Sequence, residues 1–209
     1  MKTVTLDPAR MGVAAERAAR VLREGGVVLF PAERLYGLAA DARDSAAVAR
    51  VFALKGRDPG QPLPVIVGDA GVASEWVVVA PELAMLMRRF WPGPLTLVLP
   101  VRRQLAAEVT ASPELGIRIP GNPLALEMAK LFGTPVTATS ANESGQASGR
   151  TVAAALAGLD GAPALVIDSG ELPGPPGSTV ARYRGRKLEI LRPGIIPAAL
   201  LEQCIPRQP

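Results

Sequence analysis

The sequence predicts an α/β fold, because short strand-like runs alternate with helix-like segments along its 209 residues. The run Val27-Val28-Leu29-Phe30 is continuously apolar, which is typical of a strand buried on both faces. Residues 11–24 instead place their apolar side chains at helical spacing. A hairpin predicted near the C-terminus favours a mixed sheet over a purely parallel one. No linker separates two cores, so we expect a single domain over residues 1–209.

Chain-breaking residues set the bounds of the predicted elements. Gly25-Gly26 ends the first helix, and Asp44 or Ser45 caps the second. Pro31 stops a strand before a structured loop over residues 32–38. Residues 169–177, rich in Gly and Pro, form either a linker or a lid over a ligand. The predicted strands are 3–6, 27–30, 64–67, 95–99, 116–120, one that starts near 136, 164–168, and the hairpin of 178–183 and 187–191. The predicted helices are 11–24, 44–54, 81–90, 123–132, 149–159 and 196–204.

Composition excludes several kinds of chemistry. The chain has no histidine and one cysteine, Cys204, which rules out a Ser-His-Asp triad, an intrachain disulfide and any His-ligated metal site. Lys and Arg outnumber Asp and Glu by 23 to 19, and the net charge of +4 permits a polyanionic partner such as a nucleotide or RNA. The first residues lack a signal-peptide core and no apolar run reaches about 18 residues, so we expect a cytoplasmic protein without a membrane partner.

One strand runs out into small polar residues, at the sheet edge where open α/β sheets bind ligands. Its residues 136–139 are suited to a strand, and Ser140 and Asn142 follow it. The alternative interpretation is an ordinary Asx or Ser turn after a strand. The sequence therefore offers a hydroxyl and an amide as candidate ligand-binding groups.

A second pattern is a set of cations held beside Gly or Pro at the ends of predicted elements: Arg34, Lys55, Arg57, Arg118 and Arg192. Converging cations without His or Cys suit phosphate binding and nucleotidyl transfer. We expect Lys55 and Arg57, at the end of a helix, to face solvent or ligand, although such cations can also simply cap the helix. Arg118 lies on an apolar strand and must be paired or face a ligand. The known Gly-rich nucleotide motifs are absent from the sequence.

Together these segments resemble the YrdC family, in order and over most of the chain. The matching segments include Lys55-Gly56-Arg57, Ser140-Ala141-Asn142 and Arg192-Pro193-Gly194, together with residues 25–38, 90–99, 116–120 and 178–180. The resemblance is to the short, single-domain form of the family. It implies a twisted open mixed sheet flanked by helices, with a concave basic cleft. It also implies synthesis of threonylcarbamoyl-AMP from L-threonine, bicarbonate and ATP, with release of pyrophosphate.

The resemblance further implies partners and residue roles. The product would serve threonylcarbamoyladenosine modification beside the anticodon of tRNA, which makes tRNA or double-stranded RNA and downstream tRNA-modifying proteins the expected partners. Mg²⁺ is expected with the triphosphate, with no metal ligated by the protein. The expected catalytic residues are Lys55, Arg57, Ser140 and Asn142. The residues expected to bind ATP are Arg57, Gln61, Ser140, Asn142, Ser148 and Arg192. Those expected to bind threonine are Arg34, Arg118, Ala138 and Ser178.

The sequence departs from the family pattern on the amino-acid side of the implied pocket. Ala32 and Arg34 stand where the family usually has hydroxyl residues, Gln61 replaces a common Asn, and Ile66 replaces a His found in many members. We expect the Arg34 guanidinium to enter the pocket and bind an anion; the alternative is that it points away. Two other functions remain open: a carbamoyl-adenylating enzyme like the domain of hydrogenase-maturation carbamoyltransferases, and a non-enzymatic RNA-binding protein.

Overall fold

The structure, a computed structural model, describes residues 1–58, 60–110, 112–143 and 149–205. Its strands, in chain order β1 to β11, are Lys2–Thr5, Val28–Pro31, Tyr36–Ala39, Val65–Ile66, Leu95–Pro100, Glu114–Arg118, Val136–Thr137, Thr139–Ser140, Leu165–Asp168, Thr179–Arg184 and Lys187–Arg192. Its helices, α1 to α7, are Met11–Arg23, Ser45–Lys55, Ala70–Trp76, Ala84–Phe90, Pro123–Phe132, Val152–Ala157 and Ala198–Glu202. Short 3₁₀ turns at Pro8–Arg10 and Pro81–Leu83 precede α1 and α4.

The described strands form two sheets. A five-stranded sheet has the order β1-β9-β2-β3-β8, and a six-stranded sheet has the order β11-β10-β5-β6-β4-β7. Both sheets are mixed: β9 pairs in parallel with β1 and β2, while β2 pairs antiparallel with β3. In the second sheet β10 pairs in parallel with β5 and antiparallel with β11. The α/β class and the mixed pairing are confirmed. The expected single sheet is instead two sheets, because residues 136–137 and 139–140 pair with strands of different sheets.

The segment over residues 136–140 joins the two sheets. Val136 and Thr137 pair with β4 in the six-stranded sheet, whereas Thr139 and Ser140 pair with β3 in the five-stranded sheet. At the crossing point the Ala138 amide donates to the carbonyl of Pro64 at 2.9 Å. Ser140 is therefore fixed at the boundary between the sheets by pairing on both sides of Ala138.

Strand β2 separates two apolar cores, which confirms that it is buried on both faces. Its successive residues alternate between them, because neighbouring side chains on a strand point to opposite faces. Val28 and Phe30 join the cluster in which α1 and α5 cover the five-stranded sheet, and Leu29 joins the larger cluster that includes Leu97 and Ile117 of the second sheet. This sandwich holds the start of the following turn, residues 32–35, in a fixed place.

Two parts of the chain differ from the sequence prediction. Residues 36–38, predicted as the end of a loop, belong to β3, and Tyr36 and Leu38 are fully buried there. Hydrogen bonding to β2 and β8 stabilises this strand. The sequence did not predict it, because the run is short and contains Gly37, which has a low strand propensity. Helix α3 was not predicted, because Gly71 lowers its helix propensity; an Asp69 cap and the burial of Trp76 stabilise it. Within the described residues, no helix is both long and apolar enough to cross a membrane.

Candidate active site

A cavity of about 580 Å³ is lined by residues of both sheets. Its described lining carries five arginines, Arg34, Arg57, Arg118, Arg182 and Arg192, against two glutamates, Glu33 and Glu114. Arg182 pairs with Glu114 at 3.0 Å, and Arg118 pairs with Glu33 at 2.6 Å. The three other arginines are therefore the cations of the lining that form no ion pair among the described residues. Such a site suits an anionic ligand.

The end of helix α2 directs Lys55 and Arg57 to different places. Gly56 adopts a left-handed backbone conformation, with a φ of 54°. This conformation ends the helix and turns the chain. Lys55 is only 1% exposed, whereas Arg57 lies at the cavity. The expectation that both residues face solvent or ligand is therefore wrong for Lys55. The sequence places Lys55 in the last turn of a helix, but it does not show that residues 140–142 pack over this side chain.

Lys55 organises the turn that follows β8. Its ammonium group donates to the backbone carbonyls of Ser140 at 2.5 Å and Asn142 at 2.7 Å. The Asn142 side-chain oxygen lies 3.4 Å from the same nitrogen. Burial, and then repulsion by Arg57, lowers the pKa of Lys55 to about 8. The segments Lys55-Gly56-Arg57 and Ser140-Ala141-Asn142 are thus joined through Lys55. Ser140 and Arg57 line the cavity.

Glu33 is a residue of this site that the sequence analysis did not single out. Its carboxylate accepts from the Arg118 guanidinium at 2.6 Å and from the Gly121 amide at 2.8 Å. The Arg118 side chain is 11% exposed and the Glu33 side chain 18%, so both charges are largely shielded from water. Arg118 is accordingly both paired and at the cavity, two outcomes that the sequence had left as alternatives. The feature of the sequence that could have identified Glu33 is its position next to Arg34, directly after a buried strand.

Ser178 and Arg192 contact each other at the cavity. The Arg192 guanidinium donates to the Ser178 carbonyl at 3.0 Å and to its hydroxyl at 3.1 Å. The Ser178 hydroxyl also lies 3.1 Å from that of Thr96, which the sequence analysis did not identify. Burial lowers the pKa of Arg192, with a smaller effect from the nearby Arg118; burial also lowers the pKa of Arg57. Both guanidiniums remain charged at neutral pH because the ordinary pKa of arginine is so high.

Arg34 reaches the cavity, and its guanidinium also contacts the segment over residues 169–178, which we call the strap. Its Nε donates to the carbonyl of Gly174 at 2.7 Å, and its Nη2 lies 3.4 Å from the carbonyl of Pro175. Three strap residues, Pro176, Gly177 and Ser178, line the cavity. Of the two predicted interpretations for residues 169–177, a lid fits this placement better than a linker.

The remaining predicted residues are placed less uniformly. Ala138 lines the cavity. Gln61 and Asn142 are not among the described lining residues; Gln61 presents its backbone carbonyl to Arg57 at 3.4 Å. Ser148 falls outside the described residues. Within the described chain, no group of three His, Cys, Asp or Glu side chains could hold a metal ion.

The sequence matches one family over residues 20–194, that of Sua5, YciO and YrdC, whose model is described as "Telomere recombination". The chain belongs to the Sua5/YciO/YrdC family. A Bacillus subtilis member named threonylcarbamoyl-AMP synthase is 40% identical over 192 residues, which cover 90% of this chain and 56% of that protein. A Pyrococcus abyssi member of the same name is 37% identical, with coverage of 90% and 56%. The chain thus spans little more than half the length of these two relatives.

Solved structures of other proteins share the fold. Pyrococcus abyssi Sua5 complexed with L-threonine superposes with a TM-score of 0.87 at 33% identity, covering 98% of this chain and 61% of that one. Full-length HypF in its phosphate- and nucleotide-bound form superposes with a TM-score of 0.76 over 85% of this chain and 28% of that one. At 22% identity, the HypF match shows a common fold alone.

Proposed function

We propose that this chain synthesises threonylcarbamoyl-AMP from L-threonine, bicarbonate and ATP, releasing pyrophosphate, and that the product serves threonylcarbamoyladenosine modification of tRNA. The observation that carries the proposal is the cavity with its five arginines and the hydroxyls of Ser140 and Ser178. A triphosphate and an amino-acid carboxylate are both anions, and a site with more cations than carboxylates stabilises them. Relatives named for this activity, and one solved with L-threonine, support the same substrates.

The proposed chemistry has two steps. The ammonium group of threonine first loses a proton to solvent water, and the free amine then combines with bicarbonate to give a carbamate and water. A carbamate oxygen then attacks the α-phosphorus of ATP; a new P–O bond forms, the bond to the β-phosphate oxygen breaks, and pyrophosphate leaves. Negative charge moves onto the leaving group during attack, so positioned guanidiniums lower the barrier. No proton-accepting histidine is needed for this displacement.

The cavity suggests which residues serve each substrate. Arg57 and Arg192, which form no ion pair among the described residues, are suited to the phosphates. Arg118 faces the cavity beside Glu33, an arrangement that suits the zwitterionic amino acid: the guanidinium takes the carboxylate and Glu33 attracts the amine. A Mg²⁺ bound with ATP would take its ligands from phosphate oxygens and water, in keeping with the described carboxylates of the lining being paired with arginines.

The test is pyrophosphate release from ATP by the purified chain. We expect release only when both L-threonine and bicarbonate are present, and we expect the adenylate product by mass spectrometry. Equal release without threonine would refute the proposal. Stimulation by carbamoyl phosphate in place of threonine and bicarbonate would instead identify the carbamoyl-adenylating activity.

RNA binding is a separate part of the proposal and rests on the net charge of +4. If the chain contacts tRNA through phosphates, affinity should fall steeply with salt and depend little on sequence. Filter binding with tRNA at several salt concentrations measures this. No binding at low salt, or binding that salt does not weaken, would remove RNA from the partners.

A further inference from the structure

The strap is a cavity wall without regular secondary structure. Residues 169–178 belong to neither a helix nor a strand, so their backbone groups need partners from elsewhere. The ten residues offer ten carbonyls but only seven amide N–H groups, because Pro173, Pro175 and Pro176 have none. Such a segment has a shortage of donors. A side chain that only donates is the natural partner for it, and arginine has five N–H groups and no acceptor.

Both ends of the strap are anchored, one to strand β3 and the other to the segment that follows β11. The Tyr36 hydroxyl accepts from the amide of Ser169 at 3.0 Å and donates to the carbonyl of Gly170 at 2.7 Å. Burial raises the pKa of Tyr36, which keeps this hydroxyl protonated. At the other end, the Gly177 carbonyl accepts from the Ile195 amide at 3.1 Å. The middle of the strap is then the part whose position these anchors leave open.

Two arginines hold the middle of the strap. From the cavity, Arg34 donates through Nε to the Gly174 carbonyl at 2.7 Å, and its own carbonyl accepts from the Gly174 amide at 2.9 Å. Away from the described lining of the cavity, Arg150 donates through Nε to the Leu172 carbonyl at 2.9 Å, and its carbonyl accepts from the Leu172 amide at 2.8 Å. Each arginine therefore forms a closed pair of bonds with one strap residue.

We propose that Arg34 is a positioning residue that, together with Arg150, fixes the middle of the strap and with it the adjoining cavity wall at Pro176. Arg34 occupies a position between the buried strand β2 and Tyr36, and from there its long side chain spans to the strap. A small hydroxyl side chain has one donor and a much shorter reach, so it could not replace both contacts. The consequence for threonine binding rests on the proposed function; the consequence for the strap itself does not.

The first measurement is hydrogen exchange of residues 169–178 in the ligand-free protein, followed by mass spectrometry. Loss of one charged donor corresponds to at least about tenfold faster exchange, since such bonds are worth about 1.5–3 kcal/mol. We expect this acceleration in both Arg34→Met and Arg150→Met. Arg50→Met is the matched control, because Arg50 also donates to a backbone carbonyl, that of Gly25 at 2.7 Å, but lies outside the described lining of the cavity.

Exchange in strand β9 reports whether a variant has unfolded as a whole. If Arg34→Met accelerates exchange there too, Arg34→Lys, which keeps one donor group, is used in its place; its strap should exchange at an intermediate rate. Unchanged strap exchange in a folded Arg34 variant overturns the proposal. If strap exchange is faster in Arg34→Met but unchanged in Arg150→Met, the proposal that the two arginines act together is overturned.

The second measurement is threonine-dependent pyrophosphate release at saturating ATP. We expect Arg34→Met and Arg150→Met both to raise the KM for threonine, by about tenfold, with kcat changed less than about threefold, because both act on binding through the strap. A raised KM in Arg34→Met alone, with normal strap exchange, would mean that Arg34 contacts threonine directly. Failure of the wild-type chain to release pyrophosphate would refute the proposed function and leave the exchange result standing.

Discussion

The buried position of Lys55 leads to a prediction that separates the two cations of the Lys55-Gly56-Arg57 segment. Lys55→Ala removes a side chain that is 1% exposed, together with the donor for the carbonyls of Ser140 and Asn142. Arg57→Ala removes a side chain of the cavity wall whose contacts with the carbonyls of Gln61 and Pro62 are long, 3.4 and 3.2 Å. We expect the first change to lower stability and activity, and the second to lower activity alone.

The magnitude for Lys55→Ala follows from three effects. Burial of the three methylene groups that the change removes, Cγ, Cδ and Cε, is worth about 2.4 kcal/mol, at about 0.8 kcal/mol each. The carbonyls of Ser140 and Asn142 each lose a hydrogen bond from a charged donor, worth about 1.5–3 kcal/mol. Removing a buried charge whose pKa is lowered to about 8 returns about 3 kcal/mol. The expected net loss in the free energy of unfolding is about 2–5 kcal/mol, or on the order of 10 °C in Tm for a chain of this size.

Urea unfolding and thermal melting of both variants, with pyrophosphate release, give the required comparison. Arg57→Ala should melt within about 2 °C of the wild type, since surface-accessible changes usually alter stability little. Its turnover should fall by roughly two to three orders of magnitude, the effect of losing one positioned charge-stabilising group. A Lys55→Ala protein that is as stable as the wild type yet inactive would refute this reasoning and place the ammonium group directly on the substrate.

Two further predictions concern the same charged groups. Between pH 8 and 10.5, the stability of the wild type relative to Lys55→Met should rise with pH, because folded Lys55, whose pKa is lowered to about 8, has released a proton that the unfolded chain still binds. Urea unfolding of both proteins at several pH values measures this difference. A difference in stability that does not change with pH would contradict the prediction. Glu33→Gln should lower the free energy of unfolding by about 1–3 kcal/mol, because it leaves the largely buried Arg118 without its counter-charge. Glu127→Gln is the control, because Glu127 forms no salt bridge with the residues that the structure describes. Equal stability of the two variants would show that the pair is not stabilising.

Much of the fold was determined by local sequence patterns. The apolar run of residues 27–30 and the capped helix that starts after Asp44 were predictable, because burial on both faces and side-chain capping leave direct marks on the sequence. Strand β3 and helix α3 were not, since each depends on neighbours distant in the chain. Pairing with β2 and β8 defines the strand, and burial of Trp76 stabilises the helix.

The same distinction holds for the site. The sequence by itself identified Arg57, Arg118, Ser140 and Arg192 as cavity residues, because cations and hydroxyls at the ends of elements stand out and match a family pattern. Only the tertiary structure decided that Lys55 lies behind the wall, that Glu33 pairs with Arg118, and that Arg34 contacts the strap. The direction of a long charged side chain depends on which acceptors surround it. Those acceptors, the carbonyls of residues 140, 142 and 174, come from segments at least 85 positions away in the sequence, beyond any local pattern.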